Sequence, residues 1–136
     1  MILPIGEGTL LIRTDFSDQP GWLRLVQVVN RPSADGFLAK LQVVDDPAFG
    51  DADAQILSRL LAERDDVVLL FLADAYTMTH HEMPLLCADP RAPEEGFRAA
   101  AAQLWNVENN LALANMDFGE FVGAADADGI FRGFQD

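Results

Sequence analysis

Several aspartates stand directly after apolar segments that are typical of β-strands. Asp15 follows the first segment, Asp45 and Asp46 follow the second, and Asp74 follows the third. In an open parallel sheet the carboxyl ends of the strands line the ligand crevice, and carboxylate oxygens are the ligands that Mg²⁺ prefers. These four side chains are therefore candidates for a divalent-metal or small-molecule site. The alternative is that each of them only caps a helix or closes a turn, as aspartate often does.

A second group of polar side chains runs from Trp105 to Asn110. On a helix Trp105, Glu108 and Asn109 share one face, and Asn110 follows directly. A rigid aromatic ring beside carboxylate and amide groups is suited to recognition of a protein partner. The structural alternative is that the asparagines satisfy loose backbone groups where helices meet, with Trp105 buried beneath them.

No recognised catalytic motif occurs in the chain. His80 and His81 are adjacent, which does not match the spacing of a zinc site, and Cys87 lies in an apolar segment typical of an inert core. We therefore assign no catalytic residue and no cofactor beyond a divalent cation. A non-enzymatic role is favoured, and an enzyme is left open.

Charge limits the classes of partner. Twenty-two acidic residues against nine basic ones give a net charge of −13 in 136 residues. A chain so acidic repels nucleic acid and anionic membranes, because it lacks a cationic face that could displace their counterions. A small molecule, a metal or a basic protein partner remains, unless the charge serves only solubility.

The elements that must position these residues alternate along the chain. Strands are predicted at 9–14, 38–44, 67–73 and 85–88, with a further strand at 97–100. Helices are predicted after Ser17, after Asp51 or Asp53, over 103–112 and after Asp117, where Asp117 and Glu120 form a capping box. The last residues alternate and are expected to pack their aromatic side chains onto the body of the protein.

This order predicts an α/β fold with a mostly parallel sheet of four to five strands and helices on both faces. An α+β sandwich is the alternative. Residues 1–136 are expected to form a single domain. No apolar run approaches the roughly 18 residues that span a bilayer, no signal peptide is recognisable, and a single cysteine fits a reducing compartment. A cytoplasmic protein is therefore expected.

Five blocks of the sequence resemble a family of small bacterial proteins catalogued as a domain of unknown function. They include the segments LIRTDFSD, WNVENNLALANMDFGEF and DGIFRGF, together with Asp45-Asp46-Pro47, and they span about residues 10 to 134. The resemblance supports a single domain and implies no reaction, cofactor or site residue.

Three functions follow as hypotheses. The first is a non-catalytic interaction module, inhibitor-like or immunity-like, that binds a basic partner. The second is a metal-binding or small-molecule-binding domain that uses the aspartates. The third is a structural subunit or homodimer that associates through Phe131 and Phe134; the sequence leaves the oligomeric state open.

Overall fold

The computed structural model describes residue 3 and residues 8–134, and residues 1–2, 4–7 and 135–136 of the predicted 1–136 domain lie outside the described part. Within the described part, six strands form one sheet: β1 (Thr9–Arg13), β2 (Leu41–Val44), β3 (Leu70–Ala73), β4 (Leu85–Asp89), β5 (Ala92–Ala99) and β6 (Ile130–Phe131). The same residues contain five α-helices: α1 (Gln19–Val29), α2 (Ala54–Leu60), α3 (Ala75–Thr79), α4 (Leu104–Ala112) and α5 (Phe118–Ala124). The mixed α/β class is confirmed.

The side chains of β1 and β3 alternate between two hydrophobic cores. Leu11 and Phe71 pack with α1, α4 and α5, whereas Ile12 and Leu72 pack with α2. Because successive side chains of a strand point to opposite faces of the sheet, helices cover both faces. Burial on both faces explains why these strands are almost continuously apolar.

The direction of the strands corrects the predicted sheet. The spatial order is β2-β1-β3-β4-β5-β6. The pairs β1–β2, β1–β3 and β5–β6 are parallel, but β4 is antiparallel to both β3 and β5. A mostly parallel sheet of four to five strands is therefore not confirmed; the sheet is mixed and has six strands.

The length of α3 explains the reversal at β4. With five residues this helix is about 7.5 Å long, which is shorter than the roughly 13 Å that a four-residue strand spans. The whole connection over residues 74–84 is also shorter than the dozen or more residues that a parallel crossover needs, so β4 starts beside the end of β3. The sequence prediction contained no helix at this position.

Two details of the helices also differ from the sequence prediction. The N-cap of α1 is Asp18, whose side chain accepts the backbone N–H of Gly21 at 2.9 Å, and not Ser17. The cap of α2 is Asp53, one of the two predicted alternatives. The capping box of Asp117 and Glu120 at the start of α5 is confirmed.

The C-terminal segment closes one face of the sheet. Phe131 on β6 is fully buried and meets Phe121 of α5 edge to face, with 5.1 Å between the ring centroids. Arg132 then forms ion pairs with Glu82, Asp126 and Asp128. The predicted packing of the terminal aromatic residues onto the body is thus observed.

Candidate functional site

The carboxyl ends of β1 and β3 lie side by side, because these two strands are parallel neighbours. The chain leaves β1 for β2 on one side of it and later returns as β3 on the other side. Such a switch in strand order opens a crevice beyond the carboxyl ends, where ligands bind in open α/β sheets. A cleft of about 440 Å³ lies at this place.

Four carboxylates line the cleft, and they come from three loops. The lining comprises Thr14, Asp15, Ser17, Asp51, Ala52, Asp53, Leu72, Asp74, Ala75, Tyr76 and Leu86. Asp15 follows β1, Asp74 follows β3, and Asp51 and Asp53 precede α2. Two of the four aspartates predicted as site residues, Asp15 and Asp74, therefore meet here.

Asp74 is the most strongly constrained of these carboxylates. It caps α3 by accepting the backbone N–H of Thr77 at 3.1 Å, and both of its oxygens accept hydrogen bonds from Arg98 at 2.9 and 2.7 Å. Burial raises the pKa of Asp74, but Arg98 and Thr77 outweigh burial and hold the pKa below its ordinary value. The Arg98 guanidinium also lies over the ring of Tyr76, 4.4 Å from its centroid.

Asp15 and Asp53 each use one oxygen in a local turn. Asp15 accepts the backbone N–H of Ser17 at 2.8 Å, and Asp53 accepts that of Ile56 at 2.9 Å. The second oxygen of each side chain takes part in no hydrogen bond or ion pair with the described residues. Each carboxylate therefore keeps acceptor capacity for a ligand.

Asp51 differs from its neighbours because its carboxylate caps nothing. Its backbone has φ of +62° and its N–H donates to the carbonyl oxygen of Thr14 at 2.8 Å, which ties this loop to the end of β1. Within the described part of the chain, the side chain makes no ion pair. The sequence offered Asp51 only as a helix cap, so its place in the cleft was missed.

Asp45 and Asp46 stand outside the cleft. Asp45 pairs with Arg13 at 3.2 Å, and the Arg13 guanidinium also contacts the rings of Phe16 and Trp22, with centroid distances of 4.4 and 5.1 Å. Asp46 caps the short 3₁₀ turn over Pro47–Phe49. In the described part of the chain, no group of three or more His, Cys, Asp or Glu side chains is placed to hold a metal ion.

The polar stretch on α4 makes mostly intramolecular contacts. The buried Glu108 accepts the backbone N–H of Lys40 at 2.7 Å, and Asn109 donates to the carbonyl oxygen of Leu38 at 2.9 Å. Asn110 donates to the backbone and side-chain oxygens of Asn106. The contacts of Glu108 and Asn109 fasten α4 to the chain that leads into β2, whereas those of Asn110 stay within α4. The structural alternative is matched only in part, because it placed Trp105 in the interior and this residue is half-buried.

Trp105 keeps one face near the surface. It is half-buried and stacks on Phe37, with the ring centroids 5.7 Å apart and the planes 11° from parallel. Phe37 itself is half exposed. Four residues were predicted for interaction. Of these, Trp105 is the one whose apolar surface continues into that of an exposed neighbour, Phe37.

His80 and Cys87, two further ligand-type side chains, are engaged in a local hydrogen bond and buried in the sheet, respectively. His80 Nδ1 accepts the backbone N–H of Glu82 at 3.1 Å, which places its ring proton on Nε2 in the neutral state. Cys87 is fully buried in β4, and burial raises the pKa of its thiol. Neither geometry favours ligation or nucleophilic attack.

Comparisons with known proteins give a family but no relative of known activity. A family model described as a domain of unknown function (DUF6924) matches residues 8–134, in agreement with the resemblance found in the sequence. No curated protein matches the chain. Among the described residues, no helix has the length and apolar character needed to cross a membrane.

Proposed function

Because the chain belongs to the DUF6924 family, a domain of unknown function, its activity has to be inferred from its own surface, and we propose that it is an acidic interaction module. Its cleft beyond β1 and β3 takes an arginine or lysine side chain of a basic protein partner. Four carboxylates line that cleft, and of these four only Asp74 pairs with an arginine of the described part of the chain. This imbalance is the observation that carries the proposal.

Arg13, at the end of β1, lies beside the cleft and donates to the backbone carbonyl oxygen of Asp15 at 3.2 Å, but the carboxylate with which it pairs belongs to Asp45. The side chain of Arg13 is 4% exposed. Because it is held between Phe16 and Trp22, it cannot swing toward Asp51 without losing these contacts. A concave site lined by one sign of charge concentrates the local field and attracts an oppositely charged group.

The dimensions of the cleft fit such a group. Its volume of about 440 Å³ lies within the roughly 300–1,000 Å³ that is common for ligand pockets. Tyr76 and Leu86 supply apolar surface for the methylene stem of a long basic side chain, while Asp15, Asp51 and Asp53 supply acceptors for its head.

The test compares binding of a blocked oligo-arginine peptide to the wild type and to Asp51→Asn. Asparagine tolerates the positive φ of this position, so the substitution removes a charge without straining the loop. We expect affinity to fall about three- to fivefold and the salt dependence of binding to weaken. The measurement is titration calorimetry at two ionic strengths.

Glu95→Gln is the matched control, because Glu95 is exposed on β5 and its substitution changes the net charge equally. It should leave affinity nearly unchanged. If both variants weaken binding to the same extent, the attraction is a property of the total charge and the cleft is not the site.

A second candidate ligand of this cleft, which Asp15 and Asp74 both line, is a small cationic molecule or a divalent cation; a cation would need its carboxylates to move, because no group of the described residues is placed to hold a metal ion. Mg²⁺, Mn²⁺ or Ca²⁺ should then raise the melting temperature of the wild type and not that of Asp15→Asn. If none of the three ions changes the melting temperature, the metal candidate is wrong. The proposal of a basic protein partner is not affected by that result.

A further inference from the structure

β2 is an outer strand of the sheet, and among the described residues only β1 pairs with it. The N–H of Thr9 donates to the carbonyl oxygen of Lys40. Since backbone groups alternate in direction along a strand, Gln42 and Val44 face β1. Leu41 and Val43 direct their N–H and C=O groups away from the sheet.

The outer edge of β2 is short, and its protective residues, Lys40 before it and Asp45 to Pro47 after it, lie outside the strand itself. Within Leu41–Val44 there is neither a proline nor a charged side chain, and Val43 is 40% exposed. Protein edges are normally protected by such residues or by a covering element, because unpaired strand groups bind other chains. Because no strand of the described residues pairs with this edge, β2 offers a template for an added strand.

An apolar platform, consisting of Phe37, Leu38 and Trp105, adjoins the beginning of β2. Phe37 and Leu38 are 50% and 44% exposed, and Phe37 stacks on Trp105. The bond from Asn109 to the carbonyl oxygen of Leu38 and the bond from Lys40 to Glu108 hold the segment against α4. The platform is thus fixed in place although its upper surface is exposed.

The other end of β2 is acidic. Asp45 and Asp46 follow the strand directly and both are exposed, and the ion pair with Arg13 engages only one oxygen of Asp45. An extended chain lying along residues 38–46 would meet apolar surface at one end and carboxylates at the other.

We propose that the basic partner adds an extended segment as a new strand on the outer edge of β2. Its apolar residues contact the platform and its arginine or lysine residues lie against Asp45 and Asp46. The basic character of the occupant rests on the proposed function, and the charge complementarity at Asp45 and Asp46 selects it over a second copy of this acidic chain. The backbone hydrogen bonds are made by Leu41 and Val43, as in other cases of strand addition.

The experiment uses three blocked peptides long enough to lie along residues 38–46. The first joins an alternating valine–threonine half to an arginine-rich half. The second is identical but N-methylated at alternate backbone nitrogens on the pairing edge, and the third has the same composition in scrambled order. Binding to the wild-type protein is measured by calorimetry, and we expect the first peptide to bind at least tenfold more tightly than the other two.

A variant of the protein tests the same contact from its own side. Val43→Pro removes one outward N–H and leaves the ladder to β1 intact, because proline is tolerated where the N–H of an edge strand faces solvent. It should weaken the first peptide about fivefold or more, relative to Val43→Ala, which keeps the N–H. Melting temperatures of both variants show whether β2 is still folded.

The outcomes separate this inference from the proposed function. If all three peptides bind equally and their affinity falls with salt, strand addition is overturned while the acidic cleft remains supported. If none of them binds at low salt and oligo-arginine also fails, both proposals are wrong. If the free protein forms a dimer and Val43→Pro abolishes that dimer, the occupant of the β2 edge is a second copy of this chain. The proposal of a basic partner at this edge is then overturned.

Discussion

The carboxylate of Glu108 on α4 accepts a 2.7 Å hydrogen bond from the backbone N–H of Lys40, the residue that precedes β2. Its other oxygen accepts the hydroxyl of Thr9, which begins β1, at 3.1 Å. One buried side chain thereby fixes the beginnings of two neighbouring strands against the helix that covers them. It also determines where the apolar platform lies.

Glu108→Ala should lower the free energy of unfolding by about 2–3 kcal/mol, because it removes the two hydrogen bonds that this buried carboxylate accepts from the Lys40 N–H and the Thr9 hydroxyl. Glu108→Gln should cost less, since the amide oxygen still accepts one of the two bonds. Urea denaturation measures both variants, with the exposed Glu95→Ala expected within about 0.5 kcal/mol of the wild type. Equal effects of Glu108→Ala and Glu95→Ala would contradict the assigned role.

Asp74→Asn should flatten the acid limb of the stability curve. Arg98 and Thr77 hold the pKa of Asp74 below its ordinary value despite burial, so ionised Asp74 contributes stability above the unfolded-state pKa of about 3.9. That contribution is lost as the pH falls through the lower, folded-state pKa. Thermal unfolding from pH 7 downward should show a smaller loss below about pH 4 in Asp74→Asn than in the wild type. If the melting temperature falls equally with pH in the two proteins, the role assigned to ionised Asp74 is wrong.

Cys87 should resist thiol reagents until the protein unfolds. The side chain is fully buried, and burial raises the pKa of the thiol, so the reactive thiolate is scarce at pH 8. An aromatic disulfide reagent should label the native protein slowly and the urea-denatured protein at once. Rapid labelling without denaturant would mean that β4 opens locally.

Phe121→Ala should be among the most damaging single substitutions. The fully buried ring of Phe121 contacts Phe97, Phe131 and Phe134, with centroid distances between 5.1 and 5.8 Å. Its loss should cost about 3–5 kcal/mol of unfolding free energy. The adjacent Val122 is 43% exposed, so Val122→Ala is a control on the same helix with a much smaller expected cost. If the two variants lose comparable unfolding free energy, the buried face of α5 has been assigned incorrectly.

Local patterns predicted most elements but not how they combine. The apolar run at 67–73 gave a central strand because two-sided burial requires such a sequence, although pairing is confined to Leu70–Ala73. The direction of β4 depends on the length of α3, which is too short for a hydrophobic period to reveal it. The apolar side chain of Val122 is half exposed, because the core lies on the side of Phe121 and not on that of Val122.

The site was predictable only in part. Strand-end positions identified Asp15 and Asp74, since the carboxyl edge of a parallel pair is given by chain direction. Asp51 was missed because its place depends on a loop that bonds back to Thr14. Two further features depend on residues that are far apart in the sequence, so no local pattern contains them. They are the pairing of Arg98 with Asp74 across β4 and the burial of Glu108.

The strand order has a consequence for synthesis in the cell. β1 is made first, yet its partner β3 follows about sixty residues later, and β6 with Arg132 comes last. A nascent chain on the ribosome can therefore pair β1 with β2 early but leaves the other edge of β1 unpaired until β3 emerges, and the aromatic face stays open until Phe131 does. Such intermediates are the kind that chaperones bind, so truncation before Phe131 should yield a chain prone to aggregation.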